Sequence, residues 1–488
     1  MVGREELVHV VGSENVTHSR ETLEEYSGDF SFVPRVKPSS VVKASSAEEV
    51  KGIVKWANET GTALVPVSSG APHFYGDTVP GVDGAVIMNL SGMKRIIRVD
   101  RRNRVTMIEP GVTFGELIPA LAKEGLAPLI SFLPRKNKSV VTSFLERTPI
   151  TEPRQHWEPM DPLLCVEAIY GNGDLIRTGS AGGPGTIEEQ WEVGRAQIRG
   201  MGPSQVDFTR LLQGAQGTLG IVTWATVRCR LLPKVKKAFL VSSPDIEPLI
   251  ELCYQITYKK IGDELLILNR ENLSSVLRSI GDSSAERIRS EATEWGLYYS
   301  IDGAGLYPED KVEYQTEESM ELAQTLGVEL KTEICGATAD VFSDILSRPS
   351  KDPHWKLNSK GGNQDIFFLT TMDKASTFIR KMFDLSDEQQ YGSENIGIYL
   401  QPVMQGCNCH LEFNLKYDPE NQGEADSVRQ LVENGSEALA EMGGFFSRPH
   451  GAWNRFAYDK EGQQAIGLRK IKEIFDANGI LNPGKLCY

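Results

Sequence analysis

A turn-rich stretch after a predicted strand constrains the fold of this chain more than any other feature. The segment VPVSSGAPHFYGDTVPG, residues 65–81, leads from an apolar strand into small residues and turn formers. Its serines and glycines let backbone N–H groups approach an anion closely, as phosphate-binding loops require. It fits neither the G-x-G-x-x-G nor the G-x-x-x-x-G-K-[ST] pattern, which excludes Rossmann and P-loop interpretations. Taken alone, the segment is more typical of a surface loop, so its meaning depends on the rest of the chain.

The surrounding pattern favours a mixed architecture of helices and strands. Residues 40–65 predict a strand, a helix and a second strand, with Ser45 or Ser46 as the helix cap and Gly61 near its end. Residues 163–179 predict two strands joined by a turn at Asn172-Gly173. Short strands mixed with helices continue to about residue 235, which predicts an α+β fold.

The length of 488 residues exceeds what one hydrophobic core supports, so two or three packed units are expected. Longer strand and helix segments follow from about residue 237, and the last fifty residues return to a helix. We therefore expect one domain over residues 1–236, a second over 237–440, and a C-terminal segment, 441–488, that returns to the first domain.

Charge and cysteine content exclude several classes of protein. A net charge of −14 argues against binding to nucleic acid, which requires a basic surface. The seven cysteines form no disulfide pattern, no C-x-x-C pair and no haem or iron–sulfur motif. No secretory signal or membrane span is visible, which predicts a cytoplasmic protein. Any redox chemistry then needs a bound organic cofactor.

The glycine loop has companions elsewhere in the chain. IEPGVTFGEL (108–117), GNGDLIRTG (171–179), LLQGAQGTLGIVTWATVRCRLLP (211–233) and IKEIFDANGILNPGKLCY (471–488) follow it in order. This ordered set resembles the vanillyl-alcohol oxidase and p-cresol methylhydroxylase superfamily of flavoproteins. The resemblance implies an FAD-binding domain of the p-cresol methylhydroxylase type, built from two α+β subdomains. It also implies an α+β substrate domain with an antiparallel sheet, which caps the flavin.

The resemblance also assigns residues to the FAD site. It implies that the pyrophosphate lies against Ser68, Ser69, Gly70, Ala71 and Gly76. The rest of the cofactor would lie near Gly214, Gly217, Gly220 and Ile221. Many relatives carry a Gly-Gly pair in the next loop, where this chain has PRKNKSVVTSFLERTP (134–149), so Ser139 and Thr142 would take over that contact. His73 is one position out of register with a known covalent attachment site, which favours non-covalent FAD.

The stretch QPVMQGCNCHLEF, residues 401–413, concentrates cysteine, histidine and glutamate. It is predicted to form a strand pair, in which successive side chains point to opposite faces. His410 and Glu412 would then share one face, and Cys407 and Cys409 the other. All four cannot reach one metal ion, so the sequence predicts no Cys-His metal site and core packing for both cysteines.

His410 matches a histidine on the cap strand that faces the flavin in the p-cresol methylhydroxylase branch. GGFFSRPHGAWNR (443–455) matches a later segment of that branch and aligns Arg448 with an arginine that faces a phenolate or carboxylate oxygen. Tyr75 matches a tyrosine that hydrogen-bonds the same oxygen. The resemblance therefore implies hydride transfer from a para-alkylphenol, aromatic alcohol or related substrate to FAD, with Tyr75, His410 and Arg448 as catalytic residues.

Two departures keep other functions open. Ser447 replaces a tyrosine that precedes the arginine in phenol oxidisers, and Gln155 replaces an aspartate found in vanillyl-alcohol oxidases. The first alternative is a metal-assisted D-2-hydroxy-acid dehydrogenase of the lactate or glycolate type, with His410, Glu412 and His450 as metal ligands. The second is a flavin-binding electron-transfer subunit without its own substrate.

The expected partners follow from the same reasoning. They are a small-molecule substrate and an external electron acceptor, which the sequence leaves open among a cytochrome, an electron-transfer flavoprotein, a quinone and oxygen. The resemblance further implies a homodimer.

Overall fold

The computed structural model describes residues 2–153, 161–202, 207–403, 406–458 and 462–488, except for the side chains of residues 2–4. The fold is α+β, with three main sheets that follow one another along the chain. The predicted position of Gln155 lies outside the described residues.

The first sheet contains the strand that leads into the glycine loop. Its strands are β1 (Val16–Thr17), β2 (Ser40–Lys43), β3 (Leu64–Val67) and β4 (Val86–Asn89), in the order β1-β2-β4-β3. β2, β4 and β3 are parallel, and β1 is an antiparallel edge strand. The associated helices are α1 (Val2–Val11), α2 (Arg20–Glu25) and α3 (Ala47–Thr60).

Helix α3 connects β2 to β3 in the way its sequence predicts. The Ser46 side chain accepts a hydrogen bond from the backbone N–H of Glu49, which caps the helix start. Gly61 ends the helix with φ 66°, a conformation that costs glycine little. Val50, Ile53, Val54 and Ala57 are fully buried, so the apolar stripe faces the core.

The second sheet is antiparallel and carries the other glycine segments. Its strands are β5 (Ile96–Asp100), β6 (Val105–Ile108), β7 (Leu126–Pro128), β8 (Leu163–Tyr170), β9 (Leu175–Arg177) and β10 (Gly220–Leu231). Four strands lie in the order β6-β10-β8-β9, β5 pairs with β6, and β7 pairs with β10. Its helices are α4 (Phe114–Ala122), α5 (Val140–Leu145), α6 (Ile187–Glu192) and α7 (Phe208–Leu212). Gly173 has φ 86° in the tight turn between β8 and β9, where the sequence predicts one.

The third sheet begins at Val235, directly after the second ends. Its strands are β11 (Val235–Ser243), β12 (Leu265–Asn269), β13 (Trp295–Gly303), β16 (Gly362–Thr371), β17 (Ile396–Val403) and β18 (Asn408–Tyr417), and a separate small hairpin pairs β14 (Glu333–Ile334) with β15 (Ala337–Thr338). The six strands are antiparallel in the order β11-β13-β12-β17-β18-β16.

Helices cover both faces of this third sheet. They are α8 (Glu247–Tyr258), α9 (Arg270–Ser279), α10 (Ala285–Glu291), α11 (Pro308–Thr325), α12 (Ala339–Leu346), α13 (Ala375–Glu388) and α14 (Gln422–Glu441). Residues of α8, α11, α13 and α14 share one hydrophobic core. Residues of α9, α10 and α12 share the other. Burial on both faces explains apolar runs such as LLIL in β12 and IFFL in β16.

The end of the chain returns to the first two sheets. α15 (Asn454–Ala457) and α16 (Gln463–Phe475) precede a final extended segment. The backbone N–H of Leu64 donates to Ile480 at 2.7 Å, and that of Asn172 donates to Phe475 at 2.8 Å. Residues beyond the third sheet therefore help to build the region where the glycine loops lie. Among the described residues, no helix is both long and apolar enough to cross a membrane.

Candidate active site

The loop after β3 is hydrogen-bonded to the start of helix α5. The Ser68 and Thr142 hydroxyls lie 2.5 Å apart. The backbone N–H of Ser139 donates to the Ser69 hydroxyl at 3.1 Å, and the Ser139 hydroxyl caps α5 by accepting from the N–H of Thr142. Four residues that the sequence assigns to cofactor binding therefore lie together, although two of them come from a segment that lacks the expected glycine pair.

A cleft opens beside this contact. Its volume, including the open mouth, is about 1010 Å³. The predicted cofactor residues that line it are Ser68, Ser69, Thr142, Gly214, Gly217, Gly220 and Ile221. The remaining ones lie outside the lining: Ser139 is fully buried, Ala71 is exposed, and the N–H groups of Gly70 and Gly76 donate to Asn137 and Asp29.

The cleft offers the chemistry that FAD needs. Hydroxyls of Ser68 and Ser69 and the cations Arg135 and Lys138 supply partners for a pyrophosphate. Val141, Leu145, Leu212 and Val222 supply apolar walls for flat rings. At Gly214, which has φ 73°, no atom lies within 4 Å of where a Cβ would stand, so the backbone is open to a ligand. These residues fit FAD.

A second cavity adjoins the first and faces the third sheet. Its volume is about 770 Å³ including its mouth. The residues that line both cavities are Asp77, Arg135, Lys138, Glu146 and Arg448. The second cavity has an aromatic wall, formed by Phe74, Phe132, Trp355 and Tyr399. The rings of Phe132 and Tyr399 stack with their centroids 4.6 Å apart. This cavity suits a small aromatic ligand held beside a cofactor in the cleft.

Tyr75, His410 and Arg448 come together at this cavity from three distant segments. The guanidinium of Arg448 lies 4.2 Å above the Phe367 ring and 3.4 Å from Nδ1 of His410. Tyr75 packs edge-on against the same Phe367 ring, with centroids 5.4 Å apart. The three side chains are thus grouped around the Phe367 ring.

Both ring nitrogens of His410 are engaged. Because Arg448 can only donate, Nδ1 of His410 is the acceptor, and Nε2–H donates to Glu412 at 3.1 Å. Burial lowers the pKa of His410 to about 4, so the ring is neutral near neutral pH. In this arrangement His410 orients Arg448 and is not a free base.

A buried lysine lies behind this group. Nζ of Lys356 lies 2.7 Å from Oδ2 of Asp365 and 2.6 Å from Oε1 of Glu412. Burial alone would lower the pKa of Lys356, but the two carboxylates outweigh it and raise the pKa above its usual range. Burial would raise the pKa of Glu412, yet Lys356 and His410 hold it below its usual range. The lysine therefore stays charged, as does Glu412.

No sequence motif singles out Lys356 or Asp365. Each stands in a segment without a motif, HWKL for the lysine and NQDIFF for the aspartate. The signal present in the sequence is the polar run Asn363, Gln364 and Asp365, which precedes the apolar residues 366–369 of β16 and is buried with them. In the antiparallel register, Asp365 lies opposite Asn414, and Phe367 lies opposite Glu412.

The alternative metal site does not assemble. Glu412 binds Lys356 and His410 with its two oxygens, and His450 stacks on Tyr75 with ring centroids 5.0 Å apart. Over the part of the chain that the structure describes, no three His, Cys, Asp or Glu side chains are grouped in a way that could hold a metal ion.

The expectation for the two cysteines is half right. Cys409 is fully buried in the core of the third sheet, beside Leu411 and Phe413. Cys407 is exposed, which corrects the prediction that it packs in the core. The reason is that β18 begins only at Asn408, so Cys407 lies in the turn before the strand and not on its buried face.

Comparison with known proteins connects this geometry to flavoenzymes. Residues 38–179 match the FAD binding domain, and residues 372–486 match the C-terminal domain of FAD linked oxidases. The chain is 29% identical to the 4-cresol dehydrogenase [hydroxylating] flavoprotein subunit of Pseudomonas putida, covering 98% of this chain and 93% of the relative. It is 25% identical to glycolate oxidase subunit GlcD of Bacillus subtilis (strain 168), covering 99% and 96%.

A solved structure shares the fold over the whole chain. The crystal structure of p-cresol methylhydroxylase with substrate bound superposes with a TM-score of 0.81 at 20% identity, covering 100% of this chain and 96% of that chain.

Proposed function

The chain belongs to the vanillyl-alcohol oxidase and p-cresol methylhydroxylase superfamily of FAD-linked oxidoreductases, and on that premise we propose that it oxidises a para-alkylphenol, an aromatic alcohol or a related hydroxyl-bearing substrate. The substrate would occupy the cavity with the aromatic wall, and FAD the adjoining cleft. Tyr75 and Arg448 are proposed as the residues that act on the substrate oxygen, and His410 as the residue that orients Arg448.

Arg448 carries this proposal. Its side chain is buried, and it lines both cavities. Two other cations at the cavity are paired with carboxylates: Lys138 with Glu146 at 2.6 Å, and Lys356 with Asp365 and Glu412. A third, Arg135, donates to the backbone carbonyls of Gly70 and Pro72. The partners of Arg448 within the described residues are the neutral ring of His410 and the face of Phe367. A buried cation without a counter-charge favours a negatively charged ligand.

That charge is what the reaction requires. Bound FAD would accept a hydride from the substrate. In a para-alkylphenol the hydride would leave the alkyl carbon attached to the ring, and in an alcohol the carbon that bears the hydroxyl. Loss of a hydride becomes feasible when the substrate oxygen carries a negative charge, and Arg448 is placed to stabilise such an oxyanion. His410 holds the guanidinium in orientation, while Phe132 and Tyr399 position an aromatic ring and exclude water.

The test is reduction of the bound flavin. Anaerobic addition of a para-alkylphenol should bleach the two-band flavin spectrum of the purified protein. Arg448→Ala should slow this reduction by about 100-fold or more, as expected for the loss of a charged oxyanion donor, and should leave FAD bound. Arg455→Ala is the matched control, because Arg455 follows seven positions later but its side chain is 56% exposed and pairs with Glu437.

A rate for Arg448→Ala within a few-fold of the parent protein would refute the proposed pocket. The same assay identifies the external electron acceptor if the reduced protein is offered oxygen, a quinone or a cytochrome in turn.

A second function is favoured by the relative named glycolate oxidase. The guanidinium of Arg448 matches a carboxylate as well as a phenolate, so a D-2-hydroxy acid is the alternative substrate. Bleaching by D-lactate or glycolate but not by any para-alkylphenol would select it. Tightly bound flavin that none of these compounds reduces would indicate an electron-transfer subunit without its own substrate.

A further inference from the structure

One carboxylate near the proposed pocket is placed to accept a proton although it does not line the cavity. Asp365 is buried in β16, and the cavity wall in front of it is formed by Tyr75 and Lys356. The Tyr75 hydroxyl donates to Oδ2 of Asp365 at 3.2 Å. We propose that the proton of the substrate hydroxyl passes through Tyr75 to Asp365, an inference that rests on the function proposed above.

The hydrogen bond of Tyr75 fixes its role toward the substrate. A tyrosine hydroxyl has a single proton to donate, and here that proton points at Asp365. Towards the cavity the Tyr75 oxygen therefore presents a lone pair. A substrate hydroxyl in the cavity donates to that lone pair, so its proton lies on a continuous path to Asp365.

The charges around Asp365 make it a proton acceptor. Lys356 bears one positive charge between the two carboxylates of Asp365 and Glu412, which leaves this trio with a net charge of −1. One added proton makes the trio neutral. Burial raises the pKa of Asp365, Glu412 raises it further, and Lys356 opposes both effects. The other charged groups that line the cavity are Asp77, Arg135, Lys138, Glu146 and Arg448, and the guanidinium of Arg448 lies 4.2 Å above the Phe367 ring.

The neighbouring groups are less suited to take the proton. Lys356 is an ammonium group with no lone pair. Glu412 accepts from Lys356, Asn414 and His410, and its pKa lies below its usual range. Both nitrogens of His410 are engaged. Asp365 likewise accepts from Lys356, at Oδ2, and from the amides of Asn363 and Asn414, at Oδ1. It differs from Glu412 in that Oδ2 also accepts from the Tyr75 hydroxyl and in that its pKa is raised.

The transfer is balanced in protons and charge. The substrate O–H bond breaks while a new O–H bond forms on Tyr75, and the former Tyr75 proton binds Oδ2 of Asp365. The substrate keeps the electron pair as an oxyanion beside Arg448, and Lys356 remains protonated. Asp365 is thus a positioning residue that acts through Tyr75, and the pocket takes up the substrate without releasing a proton to solvent.

The experiment counts that proton with a probe that cannot be oxidised. Para-nitrophenol carries no alkyl hydrogen and changes colour when it ionises. At a pH where the free probe is largely un-ionised, the holoenzyme should bind it as the coloured phenolate. An indicator dye in weakly buffered solution should then show almost no proton release.

Asp365→Asn should change this outcome: the probe either binds un-ionised or releases about one proton per site. Tyr75→Phe interrupts the same path, leaves Asp365 in place, and gives a second reading if the asparagine variant does not fold. Tyr391→Phe is the matched control. It removes another largely buried tyrosine hydroxyl, one that donates to the backbone of Lys416 on β18, and it should behave like the parent protein.

The results separate the two proposals. If the parent protein binds and ionises the probe but releases about one proton, the pocket stands and the proton path is refuted. The path is also refuted if Asp365→Asn and Tyr75→Phe both match the parent. A probe that does not bind, or that binds Arg448→Ala as tightly as the parent, refutes the proposed phenol pocket and the path with it.

Discussion

Replacing Lys356 with methionine tests the electrostatic arrangement behind the pocket. The change keeps most of the side-chain volume but removes a cation that lies 2.7 Å from Asp365 and 2.6 Å from Glu412. Both carboxylates are buried, and breaking a buried ion pair from one side costs about 3–5 kcal/mol. In a unit of about 200 residues, each kcal/mol lowers the melting temperature by about 2–4 °C, so a decrease of roughly 6–20 °C is expected.

The pH dependence of this loss has a definite sign. Without Lys356, the two carboxylates are like charges in a buried site, and the pKa of one must rise. Protonation of that carboxyl relieves the repulsion, so the melting temperature of Lys356→Met should lie closer to that of the parent protein at pH 5 than at pH 8.

Two further variants make the measurement decisive. The triple variant Lys356→Met, Asp365→Asn, Glu412→Gln removes the charges from both sides and should recover part of the loss, because neutral partners leave no unpaired charge. Lys360→Met is the matched surface control. Its salt bridge to Glu424 spans 3.0 Å with both side chains well exposed, and such pairs contribute about 0–1 kcal/mol. A decrease for Lys356→Met no larger than that for Lys360→Met would refute the reasoning, as would a triple variant no more stable than the single one.

Three other predictions concern separate parts of the molecule. Gly217→Ala should lower the FAD content of the purified protein, because Gly217 has φ 70° in the cleft wall and an added Cβ would lie 2.5 Å from Cγ of Pro66. Gly61→Ala is the control: Gly61 has a similar φ, and no atom lies within 4 Å of its added Cβ. That change should lower the free energy of unfolding by about 1 kcal/mol and leave FAD bound. The double change Cys407→Ser, Cys409→Ser should leave flavin reduction within a few-fold of the parent, and a loss of bound metal measured by elemental analysis would contradict this. Burial raises the pKa of Glu152 to about 7, although Arg230 lies 2.9 Å away. The bound proton therefore contributes up to about 3 kcal/mol of stability, which should be lost as pH rises from about 4.5 through 7. Melting curves of Glu152→Gln should lack that decline.

Local signals in the sequence predict most of the secondary structure around the site. The cap of α3 at Ser46, its end at Gly61 and its apolar spacing all follow from short-range chemistry. The strand pair around His410 also forms as expected, with β17 and β18 antiparallel. These features depend on neighbours within a few positions, so one sequence contains the information that determines them.

The boundary of a strand depends on more than its own residues. The alternation that places His410 and Glu412 on one face holds, but the same pattern predicts a strand that begins one residue too early, at Cys407. The glycine at 406 has φ 85°, a conformation outside the extended region, and the ladder therefore starts after the turn. A strand pattern alone does not show where the partner strand ends, and for this reason the predicted burial of Cys407 is wrong.

Local sequence patterns cannot predict that Asp365 pairs with Tyr75 and Lys356, and the reason is physical. Alternation within β16 determines which side chains share a face, but the register against β18 decides that Asp365 stands opposite Asn414 and two positions from Glu412. Tyr75 arrives from the loop after β3, 290 positions away in sequence. A buried aspartate in a strand predicts only that some partner must exist, since an unpaired buried charge is costly. Which cation and which donor satisfy it is set by the packing of the third sheet against the glycine loops, and that same packing makes Tyr75 the group between the cavity and Asp365.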